Sequence, residues 1–218
     1  MVHSKTARLA AIGVGLVLLA TLAVADTAQT GKGSEPAWQP LFDGKTLANW
    51  QATKFSGEGA VKVENGQIIL EAGGTLTGIT WTGPALPTTN YELVLQAMRV
   101  EGSDFFAGVT FPVADSFCSL ILGGWGGQIV GLSSIDGMDA SENDTSQSIE
   151  FESKRWYNIR IRVTPAKIEA WLDDRQIIDQ GLKGHKIDTR IEVELSKPLG
   201  VASYRTNSAL RDFRLRRL

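Results

Sequence analysis

Along much of this chain apolar and polar residues alternate with a period of two, the repeat of an extended strand with one face buried. Over residues 91–100 the pattern puts Tyr91, Leu93, Leu95, Ala97 and Arg99 on one side and Val94, Met98 and Val100 on the other. Residues 156–163 alternate more strictly, with Tyr157, Ile159, Ile161 and Val163 inward and Asn158, Arg160 and Arg162 outward. Residues 167–172 and 176–179 flank the polar turn Asp173-Asp174-Arg175 and read as a hairpin. Further strands are predicted over 67–71, 76–81, 105–111, 117–122, 128–132, 147–151, 199–204 and 210–218, separated by glycines and prolines at spacings a helix would not tolerate. So many short strands with no helical period predict an all-β domain of two packed antiparallel sheets.

The N-terminus departs from this pattern. Lys5 and Arg8 lead into an uncharged apolar run that ends near Leu22, and Ala23-Val24-Ala25 supplies the small-x-small sequence that signal peptidase requires. Residues 1–25 are therefore expected to be a cleaved signal peptide, with an uncleaved anchor helix as the alternative; the run is short for a membrane span. Residues 26–37 are small and polar and read as a flexible leader, with the sandwich domain over 38–218. Removing 25 of the 218 residues leaves 193, enough for one sizeable core and cramped for two. The expected location is secreted or periplasmic, with no membrane insertion after cleavage.

Charge and residue counts then narrow the chemistry. Lys5 and Arg8 leave with the signal, so 24 acidic residues face the remaining 20 of 22 basic ones, and nothing suggests a nucleic-acid partner. Cys118 is the only cysteine; it lies in an apolar stretch and reads as a buried small hydrophobe that forms no internal disulfide. One of the two histidines, His3, is in the signal, which leaves His185. A zinc site built on two or three histidines of one subunit is thereby excluded. No serine lies in a G-x-S-x-G setting, so any catalysis falls to carboxylates, Tyr, Lys or Arg.

Two stretches stand out. In Gly123-Gly124-Trp125-Gly126-Gly127-Gln128 four glycines surround one tryptophan. They would either let backbone approach a ligand and leave Trp125 as a platform for a sugar ring, or mark a sheet bend around a buried indole. Downstream, Asp136, Asp139, Glu142 and Asp144 form an acidic loop with no basic residue inside it. Such a loop could hold Ca²⁺ or supply carboxylates to a groove, although its spacing is not that of an EF-hand, and a plain solvated loop is the alternative. Asp104 is a further ligand-contact candidate. His185, in a turn, reads as solvated.

Residues 38–50, Trp-Gln-Pro-Leu-Phe-Asp-Gly-Lys-Thr-Leu-Ala-Asn-Trp, followed by Val63-Glu64-Asn65-Gly66-Gln67-Ile68 and closed by Leu210-Arg211-Asp212-Phe213-Arg214-Leu215, resemble the opening and closing motifs of the bacterial 3-keto-disaccharide hydrolase family. The resemblance implies a concanavalin-like jelly-roll sandwich with one sheet bent into a sugar-binding groove. Asp43-Gly44 reads as a tight turn around which Leu41, Phe42, Leu47 and Trp50 bury apolar surface, a structural role. Inside the chain the pattern changes. The family's N-S-G-I-F-F-R strand corresponds to Phe106-Ala107-Gly108-Val109-Thr110-Phe111-Pro112, and its E-x-Q-I-x-D to Gly126-Gly127-Gln128-Ile129-Val130-Gly131, so glycines stand where two carboxylates are usual. Tyr204 and Arg205 fall where relatives carry a polar segment.

The resemblance implies a carbohydrate-active protein whose partner is a saccharide or keto-saccharide. Cleavage of 3-keto-glycosides or 3-keto-disaccharides would use Asp136, Asp139 or Glu142 as base and Arg205 or a bound metal as oxyanion stabiliser, with Trp125, Gln128, Tyr204, Arg205 and Asp104 contacting substrate. A carbohydrate-binding module that has lost the family's carboxylates is the main alternative, and a structural domain of the cell envelope is a third.

Overall fold

The computed structural model describes residues 36–218. The segment expected to be a signal peptide and nearly all of the expected leader lie outside these residues. The strands, in chain order, are β1 (Gln39–Pro40), β2 (Trp50–Ala52), β3 (Val61–Glu64), β4 (Gln67–Leu70), β5 (Leu76–Trp81), β6 (Tyr91–Glu101), β7 (Ala107–Val113) and β8 (Ser116–Gly124). They continue with β9 (Ile129–Ser133), β10 (Gln147–Ser148), β11 (Trp156–Val163), β12 (Lys167–Leu172), β13 (Arg175–Gly181), β14 (Gly200–Tyr204) and β15 (Asn207–Arg217). A 3₁₀ helix, Ile191–Ser196, precedes β14.

These strands form two antiparallel sheets. The first runs β13-β12-β11-β6-β15-β4-β3, with β1 added against β15; the second runs β10-β9-β8-β7-β14-β5-β2. The alternation read from the sequence holds: Tyr91, Leu93, Leu95, Ala97 and Arg99 of β6 and Tyr157, Ile159, Ile161 and Val163 of β11 all face the interior. All of these but Arg99 meet Val109, Phe111, Leu120, Leu122 and Val201 from the second sheet in one hydrophobic core. The Tyr91 hydroxyl donates to the Pro112 carbonyl at 2.6 Å, which ties β6 of one sheet to β7 of the other. An antiparallel sandwich with an alternating inner face is the architecture that this pattern dictates.

The turn at Asp43-Gly44 forms as expected. Gly44 has φ +74°, and Asp43 Oδ1 accepts from the Lys45 and Thr46 amides at 2.7 and 2.8 Å. These bonds hold the Asp43 carboxyl below its usual pKa. Trp50 is buried, donates Nε1–H to the Leu41 carbonyl at 2.8 Å, and packs against Trp81 and Phe213 at ring separations of 5.2 and 5.0 Å.

Three short strands, β1, β2 and β3, and the 3₁₀ helix were not read from the sequence. β1 and β2 have two and three residues, too few to register a period. In β3 the valines pack on the core while Lys62 and Glu64 face out, as suits a short sheet edge.

Candidate functional site

The outer face of the second sheet is hollow. Between its inward residues lie small outward ones, Gly108 and Thr110 of β7, Ser119 of β8 and Ala202 of β14, so the middle of the face is low. The larger outward residues, Leu76, Tyr204 and Ile121, stand around it. The result is a trough of about 620 Å³, within the usual range for small-ligand sites. Phe55, Phe105 and Val193 supply more apolar wall, and Phe105 and Tyr204 stack at 6.0 Å with 22° between their planes. The polar lining comes from Thr75, Asp104, Ser119, Ser133, Arg190 and Glu192.

Trp125 lines the trough and stays 45% exposed. Its loop is built around a buried arginine. Arg99, on the inner face of β6, donates from Nη2 to the carbonyls of Asp104, Gly123 and Gly127 at 3.2, 3.4 and 2.9 Å. Its guanidinium also lies over the Phe106 and Phe151 rings, at 5.3 and 5.8 Å. Burial lowers its pKa from the ordinary arginine value. One guanidinium thus clamps two segments, the one carrying Asp104 and Phe105 and the one carrying Trp125. Gly127, at φ +112°, has its missing Cβ position 2.8 Å from the Ser103 carbonyl, so a side chain there would collide with the first segment. Trp125 itself sits at φ +48°, a conformation uncommon for a bulky residue. Asp104 completes the bracing: Oδ1 accepts from the Phe105 amide at 2.8 Å and Oδ2 from the Gly126 amide at 3.3 Å.

The opposite wall comes from the 3₁₀ helix and the residue before it. Arg190 donates from Nη1 to Asp139 Oδ2 at 2.6 Å, and from Nη2 and Nε to the two Glu192 oxygens at 2.8 and 3.2 Å. Glu192 consequently stays below its usual pKa, chiefly through the Arg190 bond, while Arg190 rises above its own.

The residues singled out from the sequence divide accordingly. Trp125, Tyr204 and Asp104 come together in the trough lining. Asp139 lies one contact behind it, on Arg190, with its other oxygen accepting from Ser141. Asp136 is outside the lining, held by His185 Nδ1 at 2.7 Å and the Lys186 amide at 2.7 Å, and these bonds, His185 first, lower its pKa. Glu142 is exposed and also outside the lining. Gln128 bonds Ser148 at 3.1 Å on the neighbouring strand, away from the lining. Arg205 flanks the trough: it covers the Tyr204 ring at 5.2 Å and donates to the Gly74 carbonyl at 2.9 Å. His185 is thus a partner of Asp136 and not merely a solvated residue. The acids of the 136–144 loop do not converge, and among the described residues no group of three or more His, Cys, Asp or Glu side chains could hold a metal.

Sequence reasoning missed Arg190, Glu192 and Val193, all on a segment that it left unassigned, and Phe55 and Thr75, which lie in connecting loops. Arg99 was placed on the inner face, and an arginine among core positions was the signal that could have marked it as a clamp.

A two-sheet sandwich with a trough across one outer face defines the concanavalin-like jelly roll. The chain belongs to the family of 3-keto-alpha-glucoside-1,2-lyase-like domains, which it matches over residues 37–216. Solved structures share the fold at low identity. Crh5 transglycosylase is 12% identical with a TM-score of 0.52, over 80% of this chain and 69% of that one. The Emp46p carbohydrate recognition domain is 14% identical with a TM-score of 0.51, over 78% and 88%. A Parabacteroides distasonis protein provisionally named a glycosyl hydrolase is 10% identical with a TM-score of 0.51, over 83% and 94%. No curated protein matches the chain in sequence. The family is carbohydrate-active, and among the described residues no helix is long and apolar enough to cross a membrane.

Proposed function

We propose that this protein is an exported enzyme that cleaves 3-keto-glycosides or 3-keto-disaccharides by elimination in the Trp125 trough. One observation carries the reading: an exposed indole, the stacked Phe105–Tyr204 pair, the Asp104 carboxylate and the Arg190 guanidinium line the same cavity. A ketone at C3 acidifies the C2 hydrogen. In this scheme Asp104 takes the C2 proton and the electron pair moves onto the C3 oxygen as an enolate, which Arg190 stabilises. Collapse of the enolate forms the C1–C2 double bond and breaks the C1–O bond. The aglycone leaves with its electron pair and takes up a proton. Water addition to the enone would complete a hydrolysis.

The test is incubation of the purified protein with 3-keto-trehalose and a 3-keto-glucoside, with and without Ca²⁺, monitoring release of the aglycone. Turnover is expected, and Asp104→Asn is expected to lower it by about a hundredfold or more. Absence of product under both conditions sinks the enzymatic reading.

A specific feature favours a second reading, a carbohydrate-binding module. Both carboxylates that line the trough are already engaged, Asp104 by two amides and Glu192 by Arg190. A module would keep its saccharide affinity in Asp104→Asn and lose it in Trp125→Ala.

A further inference from the structure

The outer face of the first sheet, opposite the Trp125 trough, carries a second hollow of about 390 Å³. Gln96, Asn158 and Asp173 line it and belong to a lattice of oriented polar groups that crosses the strands. Arg211 Nε donates to Gln96 Oε1 at 2.6 Å, Gln96 Nε2 donates to Asn158 Oδ1 at 2.6 Å, and Asn158 Nδ2 donates to Asp173 Oδ1 at 3.2 Å. Arg155 then holds the other Asp173 oxygen at 2.8 Å. The strand register imposes this order, because Arg211, Gln96 and Asn158 are direct cross-strand partners on β15, β6 and β11. Guanidinium–indole contacts stiffen it further: Arg160 lies 3.8 Å over Trp171 and Arg211 4.0 Å over Trp156.

The walls retain hydrogen-bonding capacity. Asp174, in the β12–β13 turn, has no side-chain hydrogen bond or ion pair among the described residues, and Arg214 has only an aromatic contact, with Trp38 at 5.8 Å. Asp212 rises from the irregularity in β15 between Arg211 and Arg214, at φ +57°, with a single ion pair of 3.8 Å to Arg211. Asp174, Asp212, Arg160 and Arg214 all line the hollow.

We infer that this hollow is a second saccharide-binding site, for a neutral sugar unit. Carboxylates and guanidinia stand together around it, so an anion meets Asp174 and Asp212, and a cation meets Arg160 and Arg214. A neutral polyol meets neither obstacle: each hydroxyl donates to a carboxylate while accepting from a guanidinium or an amide. The pre-ordered lattice lowers the entropy lost on binding. A glycan long enough to wrap the domain could engage both faces. The inference does not depend on catalysis in the Trp125 trough, and the test separates the two sites.

The experiment is an amide-shift titration of the mature protein with trehalose and with cellotetraose, at concentrations into the tens of millimolar. It is repeated for Trp125→Ala and for the exposed double variant Asp174→Ala/Arg214→Ala, with tri-galacturonate as the anionic probe and spermine as the cationic one. Shifts in β6, β11 and the 173–174 turn that survive in Trp125→Ala and weaken by about tenfold or more in the double variant support the second site. Saccharide-induced shifts confined to the Trp125 trough, or to neither face, overturn it. Stronger perturbation of this face by tri-galacturonate or spermine than by the neutral sugars also overturns it.

Discussion

A guanidinium held by three carbonyl oxygens and no carboxylate ties the trough to the core through Arg99. Replacing it by methionine keeps the apolar stem and strips a charged donor from those carbonyls. Arg99→Met is therefore expected to lower unfolding stability by about 2–3 kcal/mol, read by denaturant titration. It should also lower the fluorescence anisotropy of Trp125, measured against a Trp125→Phe background. Arg99→Lys keeps the charge without the planar fork and should restore stability only in part. Much of the site was legible at this scale: a tryptophan among glycines marks a special backbone, and Trp125 lines the trough. The glycines serve a different contact from the one their type suggests. Gly123 makes room for Arg99 and Gly127 for the Ser103 carbonyl, residues remote in sequence that no local pattern connects to them. The acids of the 136–144 loop show the same limit, because their spacing gave no hint of His185 or Arg190. His185 is the first cause of Asp136's lowered pKa, so His185→Ala should move that pKa up toward 3.8 in a carboxyl-carbon NMR titration. The sign follows for stability. A depressed carboxylate pKa contributes stability above the unfolded value and loses it as pH falls through the folded one, so the variant should differ from wild type above that window and converge with it at stronger acid.

At the scale of elements, the 3₁₀ helix decides whether the trough has a second wall. Its sequence, Ile191-Glu192-Val193-Glu194-Leu195-Ser196, alternates as a strand would, and the alternation concealed it. With three residues per turn, Val193 and Ser196 share one face, and those two are its buried residues while Ile191 and Leu195 stand exposed. That face sits on Gly200 of β14, where an added Cβ would lie 2.6 Å from the Ser196 carbonyl and 2.8 Å from the Ile79 carbonyl. Backbone on both sides cannot yield without moving the helix or the strand. Gly200→Ala is expected to cost about 1–3 kcal/mol and to raise amide hydrogen exchange over residues 191–196 above that of the β14 core. Ligand affinity should fall with it, because Arg190 and Glu192 would lose their fixed position. The long strands were legible because eight or more residues of period two cannot be mistaken for helix. β1, β2 and the 3₁₀ helix are defined by what they dock against, and that information lies in partners far away in the sequence.

For the whole molecule, the two sheets close over a core in which Cys118 has no exposure and no disulfide partner. Burial pushes its thiol pKa up to about 12. Both effects act in the same direction: the reagent cannot reach the sulfur, and the reactive thiolate is scarce near neutral pH. β8, which carries Cys118, is paired on both edges, with β7 and with β9, so local fraying does not expose it. Separation of the sheets is then the opening that does. Labelling of Cys118 by an aromatic disulfide at mildly alkaline pH should therefore be negligible in the native protein and should rise with denaturant in parallel with global unfolding measured by tryptophan fluorescence. Saccharide that binds only the folded sandwich should slow the labelling by the factor 1 + [L]/Kd, provided opening is in rapid equilibrium. Labelling that is fast in the native state would mean that the sheets part locally around β8, and the trough resting on β7, β8 and β14 would then not be the rigid surface that its geometry implies.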